Sequence, residues 1–297
     1  MTEKKSGFVT VVGRPNVGKS TFLNKVMGQK ILIESSRPQA TRNRISCIYN
    51  DERGQIVFLD TPGIHKPHHK LGQILVNYAR NSLNDVDVII FMVDPQEAGL
   101  GDKYIAEILK DVDTPVFICI NKIDLINRSK LILLLNEWHK ILDYTEIIPV
   151  SSKTGEGLER VIDLIFSYLT VGPEYYPDDM ITDRPEIFII AEIIREKVFN
   201  KTKEEVPYAV AVDIRSFTEK KNMLYIAADI IVERNSQKGI IIGKHGSMLK
   251  KIGQEARLDI EDFMGYKAYL DLHVRHKHDW RNKNNMLNSL GYEKEQK

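Results

Sequence analysis

A glycine-rich segment at residues 13–20, GRPNVGKS, constrains this chain more than any other feature of its sequence. It fits the pattern G-x-x-x-x-G-K-[ST], follows an apolar run at residues 8–12, and leads into a stretch of helical periodicity. In such a loop, backbone N–H groups and the helix N-terminus surround phosphates, while the lysine reaches the outer phosphates and the hydroxyl ligates Mg²⁺. A turn with an incidental lysine fits this context poorly, so a nucleotide site is predicted. The candidate phosphate-binding residues are Gly13, Arg14, Pro15, Asn16, Val17, Gly18, Lys19, Ser20 and Thr21.

Between residues 8 and 169, short apolar runs alternate with longer segments of helical periodicity. This alternation predicts a parallel sheet that is covered by helices on both faces. The predicted strands are residues 8–12, 56–60, 86–93, 116–120 and 147–150, and the predicted helices include 71–83, 130–142 and 157–169.

Polar residues at three strand ends predict how the nucleotide is held, because ligands bind at the carboxyl ends of parallel strands. Asp60 stands 40 residues after Ser20, where its carboxylate can hold Mg²⁺ through water. The NKID sequence at 121–124 follows another strand, and its carboxylate matches the N1–H and amine of guanine rather than adenine. We therefore predict a guanine nucleotide. The further candidates are Asp60, Thr61, Pro62 and Gly63 near the phosphates, and Asn121, Lys122, Asp124, Ser151, Ser152 and Lys153 around the base.

A stretch rich in proline and acids, residues 172–179, interrupts the periodicity and predicts a domain boundary. We expect one domain at residues 1–172, a linker at 173–185, and a second domain at 186–297 that ends in a helix. The pattern of the second domain is α+β. Its predicted helices are 186–199, 238–242 and 247–257, and its predicted strands are 208–217, 224–232 and 267–274.

A GxxG sequence at residues 243–246 joins two predicted helices of the second domain, behind two strands. This is the arrangement of a KH fold, whose GxxG turn clamps about four nucleotides of single-stranded RNA. Residues 234–257 carry six basic side chains against the single acid Glu255, so the net charge of +1 for the whole chain does not exclude RNA. The alternative is an ordinary solvated charged face. The candidate RNA-binding residues are Arg234, Lys238, Ile242, Gly243, Lys244, His245, Gly246, Lys250, Lys251, Arg257 and Arg275.

Composition excludes several other classes of protein. The only two cysteines, Cys47 and Cys119, are too far apart in sequence for a cysteine zinc site of the usual spacing, and they cannot build a disulfide framework. No apolar run approaches the roughly 20 residues that a transmembrane helix needs. We therefore expect a protein of a reducing compartment whose membrane contact, if any, is peripheral.

The first 170 residues resemble the translation-factor-related GTPases, and the whole chain resembles the Era family of bacterial GTPases of small-subunit ribosome assembly. The resemblance rests on residues 13–20, 38–44, 60–63, 121–124, 178–184, 192–197 and 242–246. It implies a P-loop GTPase domain with a mostly parallel sheet, followed by an α+β type II KH domain. It also implies that Thr41, in a first switch at 38–44, ligates Mg²⁺ together with Ser20 and Asp60. The catalytic group would be Lys19, Thr41, Asp60 and Gly63.

One position departs from the Ras-like pattern: Ile64 stands where those proteins carry a glutamine that orients the attacking water. We therefore expect slow intrinsic hydrolysis, with the water positioned by backbone groups or by a partner. In similar GTPases an asparagine at the position of Asn16 accompanies activation by K⁺, so K⁺ is a candidate cofactor besides Mg²⁺.

The resemblance also implies partners and a location. It implies GTP-dependent binding to the 3′ end of small-subunit ribosomal RNA, on the small ribosomal subunit, by a cytoplasmic monomer with a pool at the membrane. A constitutive RNA-binding chaperone, with a mainly structural nucleotide domain, is the alternative.

Overall fold

The computed structural model describes residues 4–35, 37, 40–43, 45–60, 83 and 86–292. The described residues divide into two compact units. The first unit ends at Asp183, and the second unit contains the chain from Arg184 onward together with Ile33–Ser35.

The first unit is built on a six-stranded sheet with strand order β2-β3-β1-β4-β5-β6. All neighbouring strands run parallel except β2, which pairs with β3 in the antiparallel direction. The mostly parallel sheet expected from the sequence is therefore confirmed, with the addition of β2. The strands are β1 (Lys5–Val12), β2 (Ile45–Asp51), β3 (Gly54–Asp60), β4 (Val88–Val93), β5 (Val116–Ile120) and β6 (Glu146–Pro149).

The helices of this unit connect the strands along the chain. They are α1 (Lys19–Met27), α2 (Leu100–Leu109), α3 (Arg128–Ile141) and α4 (Leu158–Tyr168). The predicted helix at 71–83 lies outside the described residues apart from Leu83. Strands β4 and β5 are buried along their whole length because helices cover the sheet, and Trp138 of α3 packs edge-on against Phe91 at 5.4 Å. This core fixes the strand ends at which the predicted site residues stand.

Residues of the predicted linker lie along the outer edge of β2. Ile48 N–H donates to the carbonyl of Ile181 at 2.9 Å. The Asp183 carboxylate accepts from both the N–H and the hydroxyl of Ser46, at 3.0 and 2.9 Å. The segment thereby satisfies an otherwise open strand edge.

The second unit contains a three-stranded sheet with order β7-β8-β9, in which β8 pairs antiparallel with β7 and parallel with β9. This sheet and its helices confirm the predicted KH architecture. The elements are α5 (Glu186–Lys201), β7 (Ala211–Lys220), β8 (Met223–Val232), α6 (Asn235–Ile242), α7 (Ser247–Met264), β9 (Lys267–His276) and α8 (Asn284–Ser289). Helix α7 is longer than predicted because its apolar face continues through Ile260 to a left-handed Gly265.

Helix α5 contains a buried ion pair. Arg195 of α5 is 1% exposed, and its guanidinium donates to both carboxylate oxygens of Glu192, at 2.7 and 2.6 Å. Within the described stretches of the chain, no helix combines the length and apolarity that crossing a bilayer requires.

Candidate nucleotide and RNA sites

The glycines of the phosphate loop occupy positions that no other residue fits. Gly13 and Gly18 have φ angles of 155° and 103°. A Cβ on Gly13 would lie 2.4 Å from the Met92 carbonyl oxygen, and one on Gly18 would lie 2.2 Å from Asn121 Nδ2. The loop therefore packs closely against the end of β4 and against the base loop, the NKID segment at residues 121–124. In this conformation its backbone N–H groups can surround phosphates.

Lys19 begins α1 and is 7% exposed. Its ammonium donates to the carbonyls of Gly13 and Arg14, at 3.1 and 3.0 Å. Burial lowers the pKa of Lys19 to about 8, although the charges of Asp60 and Asp94 act in the opposite direction. The loop therefore carries a desolvated cation for which phosphate oxygens are strong partners.

Two of the three predicted Mg²⁺ ligands come together: Ser20 Oγ lies 3.1 Å from Thr41 Oγ1. The third, Asp60, is fully buried at the end of β3, and its charge raises the pKa of Lys19. Two hydroxyls and a carboxylate are the hard oxygen donors that Mg²⁺ prefers, so these residues fit the ion. Thr61, Pro62, Gly63 and Ile64, and Pro38, Gln39 and Arg44 of the first switch, lie outside the described residues.

The base loops fix one another through hydrogen bonds. Asn121, 1% exposed, donates to the Val17 carbonyl at 2.8 Å and accepts from Ser152 N–H at 2.9 Å. Ser151 Oγ donates to Asp124 Oδ1 at 2.6 Å, which orients the carboxylate that would read guanine. The structure therefore brings the predicted base residues together, with Lys153 exposed beside them.

Two acidic residues that the sequence reading did not assign to the site also contact it. Asp94 Oδ1 lies 2.7 Å from Lys122 Nζ, and Asp102 Oδ1 accepts from Arg14 Nε at 2.7 Å. Asp94 could have been assigned to the site from sequence, because it is a carboxylate directly after a buried strand.

The GxxG turn joins α6 to α7 with backbone angles that require glycine. Gly243 has a φ of 72°, and a Cβ there would lie 2.7 Å from Met248 Cβ. Gly246, with a φ of 76°, is the N-cap of α7. Lys244 and His245 project from the turn and are exposed. The turn thus offers a helix N-terminus and a cation to an approaching phosphate.

The predicted basic residues divide into two sets. Those of the first set lie between Arg234 and the start of α7, in the GxxG turn and on either side of it, and we name them the GxxG cations: Arg234, Lys238, Lys244, Lys250 and Lys251. Members of the second set are engaged elsewhere. Arg257 pairs with Glu261 at 2.9 Å, and Arg275 Nε lies 3.4 Å from Asp229. Since side chains alternate along β9 and Val274 is buried, Arg275 lies on the opposite face from the helices and is not brought to the turn.

Comparisons with known proteins match both units. Residues 8–122 match the family described as 50S ribosome-binding GTPase, and residues 205–281 match the KH domain family. Era from Aquifex aeolicus, solved with GDP and AlF₄⁻, is 41% identical, with a TM-score of 0.93 over 97% of this chain and 99% of that one. A second Era structure, in complex with MgGDPNP and nucleotides 1506–1542 of 16S ribosomal RNA, is 42% identical, with a TM-score of 0.92 and the same coverage.

The fold and the sites define a P-loop GTPase joined to a KH domain. The sequence is more than 40% identical to both Era structures over almost the whole length of each chain, which identifies the family within that class. The chain belongs to the Era family of GTPases. The predicted GTPase activity and fold are thereby confirmed.

Proposed function

We propose that this protein is a GTP-dependent switch that binds the 3′ end of small-subunit ribosomal RNA through its KH domain and acts in assembly of that subunit. The observation that carries the proposal is the 42% identical Era structure, which holds a GTP analogue and nucleotides 1506–1542 of 16S ribosomal RNA in one complex. The required glycine geometry of both the phosphate loop and the GxxG turn supports the same activities in this chain.

In the proposed reaction the chain's own residues bind GTP and stabilise the charge of the transferred phosphoryl group. Lys19 contacts the outer phosphates, and Asp124 selects guanine. Ser20, Thr41 and Asp60 would hold Mg²⁺, which neutralises the phosphate oxygens. Gly63, which lies outside the described residues, is proposed to sense the γ-phosphate.

Hydrolysis is proposed to be slow without a partner, because the alkyl side chain of Ile64 cannot hydrogen-bond the attacking water. Asn16 is proposed to hold K⁺ as an added positive charge. Asn16 is the fourth residue of the phosphate loop and has a left-handed backbone, with a φ of 68°. Turnover in K⁺ should exceed turnover in Na⁺, and Asn16→Ala should remove the difference. Equal rates in both salts for the unaltered protein would exclude the role of K⁺.

The proposed coupling between GTP and RNA runs through the first switch and the segment that leads into the KH domain. Ser46 stands five residues after Thr41, and its N–H and hydroxyl bind Asp183, the last residue of the first unit. A movement of Thr41 on hydrolysis would therefore alter the hydrogen bonds between Ser46 and Asp183, the residue that precedes the second unit.

RNA affinity measured with a GTP analogue and with GDP tests the switch against the constitutive chaperone. A switch gives different affinities, and RNA changes its hydrolysis rate; equal affinities together with unchanged hydrolysis favour the chaperone. Lys19→Ala should abolish nucleotide binding and leave nucleotide-free RNA binding intact. Gly243→Asp and Gly246→Asp should do the reverse.

The RNA target and the location are tested in cells. Crosslinking followed by sequencing should recover the small-subunit 3′ end, whereas recovery of messenger or transfer RNA would overturn the proposed target. We further propose a cytoplasmic monomer with a peripheral membrane pool. Cell fractionation with a salt wash, and size-exclusion chromatography with light scattering, test these two points.

A further inference from the structure

Asp102 anchors the phosphate loop to helix α2. It lies in the first turn of the helix and is 1% exposed. One carboxylate oxygen accepts from Arg14 Nε at 2.7 Å and the other from Gly99 N–H at 3.0 Å, so both oxygens are fixed. The neighbouring Gly101 leaves room for the arginine, because a Cβ there would lie 2.7 Å from Arg14 Cδ.

Asp94, directly after β4, lies between the cations of two loops. Its Oδ1 is 2.7 Å from Lys122 Nζ in the base loop, and its Oδ2 is 3.8 Å from Arg14 Nη2 in the phosphate loop. Lys122 in turn donates to the Asn16 carbonyl at 2.6 Å. One anion is therefore shared by the loop that reads the base and the loop that surrounds the phosphates.

We propose that Asp94 and Asp102 are positioning residues that couple guanine recognition to phosphate binding. Asp94 holds the Lys122 ammonium where it fixes the Asn16 carbonyl, and Asp102 fixes the Arg14 side of the same loop. With the loop held at Arg14 and at Asn16, its N–H groups are arranged for phosphates before the nucleotide arrives. The inference does not depend on the RNA partner proposed above.

The sign of the effect separates positioning from simple electrostatics. A negative charge near a phosphate site repels the ligand, so Coulomb energy alone predicts that removing the Asp94 charge tightens nucleotide binding. Positioning predicts the opposite, because Lys122 loses the anion that holds it against the phosphate loop.

The test compares GDP with GMP in Asp94→Asn, by displacement of a fluorescent GDP analogue in the full-length protein. GDP affinity should fall about tenfold, a typical coupling between two parts of a site. GMP affinity should fall less than about twofold, because GMP lacks the outer phosphate that the loop surrounds.

Asp87→Asn is the matched control. Asp87 directly precedes β4, at the end opposite to Asp94, and accepts from Phe8 N–H at 2.8 Å. Its substitution therefore removes a carboxylate from the same strand, away from the nucleotide. The ratio of the GDP and GMP affinities should not change in this variant.

Arg14→Lys provides a second test at a partly exposed side chain, should Asp94→Asn fold poorly. It keeps the positive charge but loses the guanidinium that bonds Asp102, and it should shift the GDP to GMP ratio in the same direction. Tighter GDP binding by Asp94→Asn, unchanged affinities, or equal losses for both nucleotides would each overturn the proposal.

Discussion

Replacement of Asp183 by alanine should loosen the edge of the GTPase sheet. The carboxylate accepts two hydrogen bonds from Ser46, at 3.0 Å from N–H and 2.9 Å from Oγ. Ser46 is 5% exposed, so the substitution leaves buried donors without this acceptor. The adjacent bond from Ile48 N–H to Ile181, at 2.9 Å, would then open more often.

The expected cost is about 1.5 kcal/mol. Hydrogen bonds to a charged acceptor contribute about 1.5–3 kcal/mol, but Asp183 itself is exposed and water replaces part of the loss. Amide exchange at a locally opening bond follows the opening free energy, so 1.5 kcal/mol corresponds to roughly tenfold faster exchange.

Hydrogen exchange measured by mass spectrometry on peptides that cover β2 gives the assay. Asp183→Ala should exchange about tenfold faster there, and Ser46→Ala, which keeps the N–H bond, should show about half of the energetic effect. Asp179→Ala is the matched control, since Asp179 is an exposed acid of the same segment. Exchange in Asp183→Ala within twofold of the unaltered protein would refute the reasoning.

Three further predictions follow from burial and backbone geometry. GDP affinity should fall about fourfold from pH 7 to 8.5, because Lys19, with a pKa of about 8, must be protonated to bind phosphate; a flat titration would contradict this. By calorimetry, Gly246→Ala should cost about 1–2 kcal/mol for its left-handed backbone, and Gly243→Ala should cost more because its Cβ also clashes. Burial raises the pKa of both thiols, that of Cys119 to about 12. Neither Cys47 nor Cys119 should therefore react with a disulfide reagent at pH 8 until the protein is denatured. A thiol that reacts in the native protein would contradict this.

The nucleotide motifs could be predicted from sequence because each is contiguous and its chemistry is local. The phosphate loop needs glycines at fixed spacing, and Asp60 and Asp124 stand where strands end. Parallel strands bring those ends to one edge, so the motifs predict each other's positions. The contact of Ser20 with Thr41 was expected only from the family resemblance, because no local pattern around Thr41 indicates it.

Contacts between distant segments could not be predicted in this way. Asp102 caps its own helix, which is an ordinary use of an acid in a first turn, so nothing local indicates its bond to Arg14, 88 residues away. The proline and acids at 172–179 predict a linker between domains, but nothing local in them indicates what the segment contacts. In the structure the Gln55 side chain accepts from Tyr175 and Tyr176 N–H groups, at 2.8 and 3.0 Å, and holds the segment against the sheet.

The ion pairs of the KH domain limit how many phosphates it can neutralise. Arg257 and Arg275 already pair with Glu261 and Asp229, so RNA would have to displace a carboxylate to use them. The five GxxG cations remain, and for a single strand each neutralised phosphate contributes about −0.7 to the slope of log affinity against log salt. If these five cations are the ones that contact RNA, titration of a single-stranded RNA across salt concentrations should give a slope of about −3.5. A slope near −5 would mean that about two further cations contact RNA, and would contradict a contact surface limited to the GxxG cations.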